Sequence, residues 1–157
     1  MSLSWYYTGG GSSTSVLGGQ ISSAALAETQ GIILPNVDQS AGAVTGVTHY
    51  ACICIKNTGA VSIANAGVYF SSVVTGANVS IAKGLTGKNS TTEQVIASNT
   101  TIPTGALVFQ NPLFSYSALM LGTLAAGDFY HLWLKRVVKA NLAGSPNDYL
   151  ILSSVES

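Results

Sequence analysis

Two stretches of this chain alternate with a period of two residues, and that period limits what it can fold into more than any other feature. Residues 129–138 place Phe129, His131, Trp133, Lys135 and Val137 on one face and Tyr130, Leu132, Leu134, Arg136 and Val138 on the other. Residues 47–56 set Tyr50, Cys52 and Cys54 opposite Ala51, Ile53 and Ile55. A strand that is apolar on both faces is a central strand covered on both sides. In the later stretch Leu132 and Leu134 are expected to face the core. Trp133 then lies on the second face with His131 and Lys135, half exposed or against a partner, unless a bulge reverses the faces.

The rest of the chain is punctuated to match. Turn signals recur at Asn36–Gly42, Asn57-Thr58-Gly59, Gly76, Lys83–Asn89, Asn99–Gly105 and Gly127-Asp128. Between them lie short apolar runs at 32–34, 61–63, 66–70, 73–75, 79–82, 93–97, 106–109 and 113–121. No long segment has a helical period with caps. Short strands separated by turns every ~10 residues predict an all-β sandwich or barrel. A turn at 121–128, the strand 129–138, a polar break and a run at 148–154 read as its closing hairpin. The first 30 residues differ. Trp5-Tyr6-Tyr7 precedes Thr8-Gly9-Gly10-Gly11-Ser12-Ser13, and Ala24 to Ala27 permit a short helical turn. The expected organisation is an N-terminal arm and linker over 1–30 and a sandwich domain over 31–157. The other reading of the aromatic cluster is a first edge strand that caps the local core.

Composition narrows the functions. Charged residues make up only 8% of the 157 and the formal net charge is zero, against roughly 25% charged in an average soluble domain. Gly, Ser, Thr, Ala and Asn take their place, which suits a protein packed in an assembly. No apolar run reaches the length of a membrane span, and residues 1–7 carry neither the basic nor the apolar region of a secretory signal. Cys52 and Cys54 sit two apart on one face, a poor geometry for a mutual disulfide, so buried thiols in a reducing cytoplasm are expected. The sequons at Asn78, Asn89 and Asn99 carry little weight in a chain so rich in Ser and Thr.

Nothing in the pattern carries catalysis. His49 and His131 are the only histidines, and neither has a nucleophile motif around it. The acids Glu28, Asp38, Glu93, Asp128, Asp148 and Glu156 are scattered, mostly in turns where Asp bonds its own backbone. The two cysteines lack the further ligands of a zinc site. The glycines at 9–11 lack the Lys and following helix of a phosphate loop. Lys135 and Arg136 point to opposite faces, so they make no continuous nucleic-acid patch. The expectation is a non-enzyme with no catalytic residue, no metal and no cofactor.

The run Tyr50-Ala-Cys-Ile-Cys-Ile-Lys-Asn-Thr-Gly59, then Val68-Tyr-Phe70, Leu121-Gly-Thr-Leu-Ala-Ala-Gly127, Leu132-Trp-Leu-Lys-Arg-Val-Val138 and Asn147-Asp-Tyr-Leu-Ile-Leu152 resembles small virion structural proteins of tailed bacteriophages. The likeness covers residues 45–155, with Trp133-Leu-Lys-Arg136 and Asn147-Asp148 as its more specific parts. The N-terminal aromatic segment and the paired cysteines depart from that pattern. The resemblance implies an all-β, Ig-like or jelly-roll-like antiparallel β-sandwich with an extended N-terminal arm. It also implies a head decoration (cement) protein, homo-oligomeric, bound to the major capsid protein in a virion assembled in the host cytoplasm. Trp5, Tyr6, Tyr7, His131, Trp133 and Lys135 are the expected contact residues, with no nucleic-acid or membrane partner. The alternative within the class is a tail, neck or baseplate component, or an adhesin-like module whose Trp133, Tyr130 and Tyr116 bind host glycans.

Overall fold

The computed structural model describes residues 2–12, 15–26, 34, 46–72, 77–140 and 151–155. Eight strands follow in chain order: β1 Leu3–Thr8, β2 Ile21–Leu26, β3 Val47–Asn57, β4 Ile63–Ser72, β5 Ala77–Lys83, β6 Leu119–Leu124, β7 Phe129–Val138 and β8 Ile151–Val155. They form two antiparallel sheets, of order β2-β1-β3-β7-β5 and β6-β4-β8. The fold is the all-β sandwich that the short alternating strands predict. Among the described residues the one other regular element is a single 3-10 turn, Ser115–Ser117.

The longest pairing joins the two alternating segments. β3 and β7 run antiparallel in unbroken register, with Ala51 opposite Leu134, Ile53 opposite Leu132 and Ile55 opposite Tyr130. Because side chains alternate, this register sends Ala51, Ile53, Ile55, Leu132 and Leu134 to one face together. There they meet Val79 and Ile81 of β5, Trp5 of β1, and Ile63, Val68, Phe70, Leu119, Leu121 and Leu124 of the facing sheet. The expected inward orientation of Leu132 and Leu134 is what the structure has.

Two expectations about connectivity are corrected. β7 and β8 do not form a hairpin: β7 lies between β3 and β5, while β8 pairs with β4 in the other sheet. The chain after Val138 therefore crosses between sheets, and alternation alone says nothing about which neighbour a strand takes. Nor is the N-terminus an extended arm. β1 lies inside the large sheet between β2 and β3, and Trp5 is only 2% exposed, in register with Ile55. The three glycines at 9–11 make a turn between β1 and the segment leading to β2, where Gly9 and Gly11 adopt the positive φ that glycine tolerates. Ala24, Ala25 and Leu26 are strand rather than a helical turn. The run at 66–70 lies within β4, which takes in only Ile63 of the run at 61–63, and its register slips around Ala66. The run at 93–97 forms no strand beyond a single bridge at Val95, and the expected runs at 32–33 and 73–75 and the Asn147-Asp148 turn lie outside the described residues.

Turn chemistry follows the sequence closely. Asn57 ends β3 fully buried, with its amide donating to the Val61 and Leu124 carbonyls and its oxygen accepting from Gly59 N–H. Asp128 accepts from the Ala125 amide of its own turn at 2.9 Å, as expected of an acid placed there, and also from Asn89 at 2.6 Å and Lys88 at 2.9 Å. Those bonds, the Asn89 amide foremost, hold its carboxyl down at about 2.

Candidate functional site

The six expected contact residues do not share a surface. Trp5 is in the core, and Tyr7 is half-buried against it. Tyr6 points to the outer face of the large sheet, in register with Cys54. On β7, His131 and Trp133 do leave on that outer face, as alternation requires, but both are buried; Trp133 has no exposed surface at all. Lys135 is half-buried, its Nζ 5.6 Å from the centre of the Phe109 ring.

What covers this outer face is chain without strands. Residues 84–112 leave the end of β5, cross the sheet and return, closing a second apolar cluster of Tyr50, Cys52, Ile96 and Trp133, with Leu17, Leu107 and Phe109 at its margin. Residues 15–20 supply the rest of the cover. Each piece accepts a hydrogen bond from one outward side chain of β7. Trp133 Nε1 donates to Glu93 Oε1 at 3.1 Å, and His131 Nε2 donates to the Gly19 carbonyl at 2.7 Å. Burial lowers the His131 pKa from its ordinary value. The two residues are thus contact points, but their partner is the chain's own cover.

Among the described residues, the thiols on this face are not poised to react. Cys52 and Cys54 are free and buried, as expected, and burial raises both thiol pKa values far from the thiolate form. On the inner face Arg136 donates to His49 Nδ1 at 3.0 Å, and burial together with that cation holds His49 down at about 4. Among the described residues no group of three His, Cys, Asp or Glu side chains is placed to hold a metal.

Exposed apolar side chains include a group at the edge where β5 and β6 flank the sandwich. β6 is an outer strand of the small sheet. Its place beside β4 is continued by Pro112, whose carbonyl accepts from Phe70 N–H at 2.7 Å, while Leu119 pairs with Val68. Between these anchors the chain bulges outward over 113–118, closed by the 3-10 turn and by Ser117 Oγ donating to the Phe114 carbonyl. The bulge presents Phe114, 54% exposed, and Tyr116, 85% exposed, with rings stacked at 5.2 Å and inclined by 9°. Exposed Leu113 and Met120 flank them. Next to this knob is an open groove of about 260 Å³ lined by Lys83, Gly84, Leu85, Ala106, Val108, Gln110 and Leu119. Leu85 and Val108 are themselves largely exposed.

Family models, curated proteins and solved structures return no match to this chain. The site therefore rests on its geometry. Of the residues that form it, sequence reading had singled out Tyr116 alone, as part of a glycan site with Trp133 and Tyr130. The signal for the rest was a pair of aromatics two apart, Phe114 and Tyr116, just after Pro112. Such a pair, with serines between and beyond it, has no strand neighbour to bury it.

Proposed function

We propose that this protein is a non-enzymatic virion structural protein, a head decoration protein that docks on the major capsid lattice through the Phe114–Tyr116 knob and the apolar groove beside it. The observation that carries the reading is that stacked pair, held outward on a sheet edge of a chain with almost no charge. Aromatic residues at the centre of an apolar patch are what protein interfaces select, because they bury much area for little lost side-chain freedom. An apolar strip that serves no fold marks an interaction surface. The likeness of residues 45–155 to phage virion proteins supplies the kind of partner, and the low charge suits a subunit packed against neighbours.

The glycan-binding alternative loses its main residue, since Trp133 is sealed under residues 84–112. Deleting the N-terminal segment would not test this docking, since it removes β1 from inside the large sheet. The better variant is Phe114→Ser with Tyr116→Ser. It is expected to keep the urea midpoint of the parent and to lose cosedimentation with heads assembled from the cognate major capsid protein. A parent protein that never cosediments with those heads, or a double variant that still does, refutes the reading.

A further inference from the structure

We propose that residues 90–109 form a strap that lifts from the outer face of the large sheet as a unit, and that the Glu93 carboxylate is its latch. Both ends of the strap are fixed on neighbouring strands. Asn89 N–H donates to the Phe129 carbonyl on β7, and Gln110 exchanges both backbone bonds with Ile81 on β5. Lifting what lies between breaks no strand ladder. The strap is also braced within itself: the Gln94 side chain donates to the Thr104 carbonyl and accepts from the Thr104 N–H, each at 2.8 Å. Its remaining backbone ties are few, from Ile96 N–H to Leu17, from Gly19 N–H to Gln94 and from Tyr50 N–H to Asn99. It covers a small cluster, whereas the inner core joins both sheets. Segments of this kind open locally at lower cost than the whole domain.

The latch follows from the chemistry of a buried acid. Glu93 is 4% exposed, and a carboxylate removed from water is tolerated only when its oxygens accept enough hydrogen bonds. One oxygen accepts from the Thr86 hydroxyl at 2.7 Å; the other accepts from Trp133 Nε1 at 3.1 Å and from Gln94 N–H at 3.3 Å. Thr86 and Trp133 belong to the frame, and Gln94 moves with the strap. Closing therefore trades water for two frame donors, and removing either one shifts the balance towards a lifted strap with a hydrated carboxylate. Gly84 sits against the carboxyl group so closely that a Cβ there would overlap it. Lifting bares Tyr50, Cys52 and Trp133, an apolar face separate from the Phe114–Tyr116 knob.

The buried thiol beneath the strap reports the opening. In a Cys54→Ala background, the rate at which Cys52 reacts with a disulfide reagent at neutral pH is compared with the urea midpoint of each variant. Trp133→Phe, and independently Thr86→Val, are expected to speed labelling at least tenfold while the global midpoint moves little. Adding Glu93→Met to Trp133→Phe removes the stranded charge together with its donor and is expected to slow labelling again. Labelling that follows global unfolding in every variant overturns the strap. A double variant that labels as fast as Trp133→Phe overturns the latch. Should Trp133→Phe fail to fold, Thr86→Val with and without Glu93→Met gives the same two readings.

Discussion

Leu134→Ala tests the assignment of faces on which the fold and both surfaces depend. Leu134 is 1% exposed at the middle of the large sheet, in register with Ala51 on one side and Ile81 on the other. The substitution removes three carbons, worth about 2.4 kcal/mol at ~0.8 kcal/mol each. A cavity term adds to this, because Ala51 is too short to reach into the gap and Ile81 is β-branched and stiff. The expected loss is about 3–5 kcal/mol, or a melting point lower by roughly 10 °C for a chain of this size. Urea denaturation read by far-ultraviolet circular dichroism measures it, with Lys135→Ala, one residue on and half-buried on the other face, as the control at under about 1 kcal/mol. A loss below about 1 kcal/mol for Leu134→Ala, or a larger loss for Lys135→Ala, would mean that the faces are reversed and the inner core misassigned.

Two further outcomes follow from the same geometry. The folded-state pKa of His49 lies at about 4, below the ordinary 6.5, first through burial and then through the Arg136 charge. Below pH 6.5 the unfolded chain takes up a proton that the folded one refuses, so stability is full above that pH and falls as pH drops from 6.5 to 4, by up to about 3 kcal/mol. His131 shifts the same way. Urea midpoints at pH 7.5 and pH 4.5 should differ for the parent and differ less for His49→Gln; equal midpoints for the parent refute the argument. Gly18→Ala forces a side chain onto a backbone at φ +107 and into the Gln94 carbonyl, and should cost about 1–3 kcal/mol. An unchanged urea midpoint would show that the contact between the two cover segments is loose.

Period-two alternation told which faces of β3 and β7 are buried, because a strand's side chains obey it wherever the strand lies. It correctly set Leu132 and Leu134 inward and split Lys135 from Arg136. It could not say which strands are neighbours. β8 follows β7 in sequence yet pairs with β4, since a strand's partner is set by contacts across the whole chain and a break of a dozen residues suffices to change sheets. The N-terminal segment failed for a related reason. Gly9-Gly10-Gly11 has the composition of a linker, and nothing local shows that Trp5 has a slot between Ile55 and the facing sheet waiting for it. The cover of the outer face was illegible because it has no period at all. Residues 84–112 are loop by every local rule, and only the buried acid Glu93 beside Val95 and Ile96 hints that they pack.

That cover decides where a partner can bind. In a sandwich the outer sheet face is the usual large surface, and the sequence put Trp133 and His131 there as if to meet something. They do meet something: Glu93 and Gly19. With the inner face in the core and the outer face under residues 15–20 and 84–112, the broad surfaces of β3 and β7 are spent on stability. Exposed apolar side chains remain on the cover itself, at Leu85, Val95, Ile102 and Val108, and at the β6 edge, where the chain departs from its ladder to hold two stacked rings in solvent. A bulge costs a strand its hydrogen bonds at that point. Here the cost is partly met by the Ser117–Phe114 closure and the Pro112–Phe70 bond, which keep the knob rigid while leaving its rings uncovered. Exposed and aromatic, the knob is the feature on which the proposed docking rests.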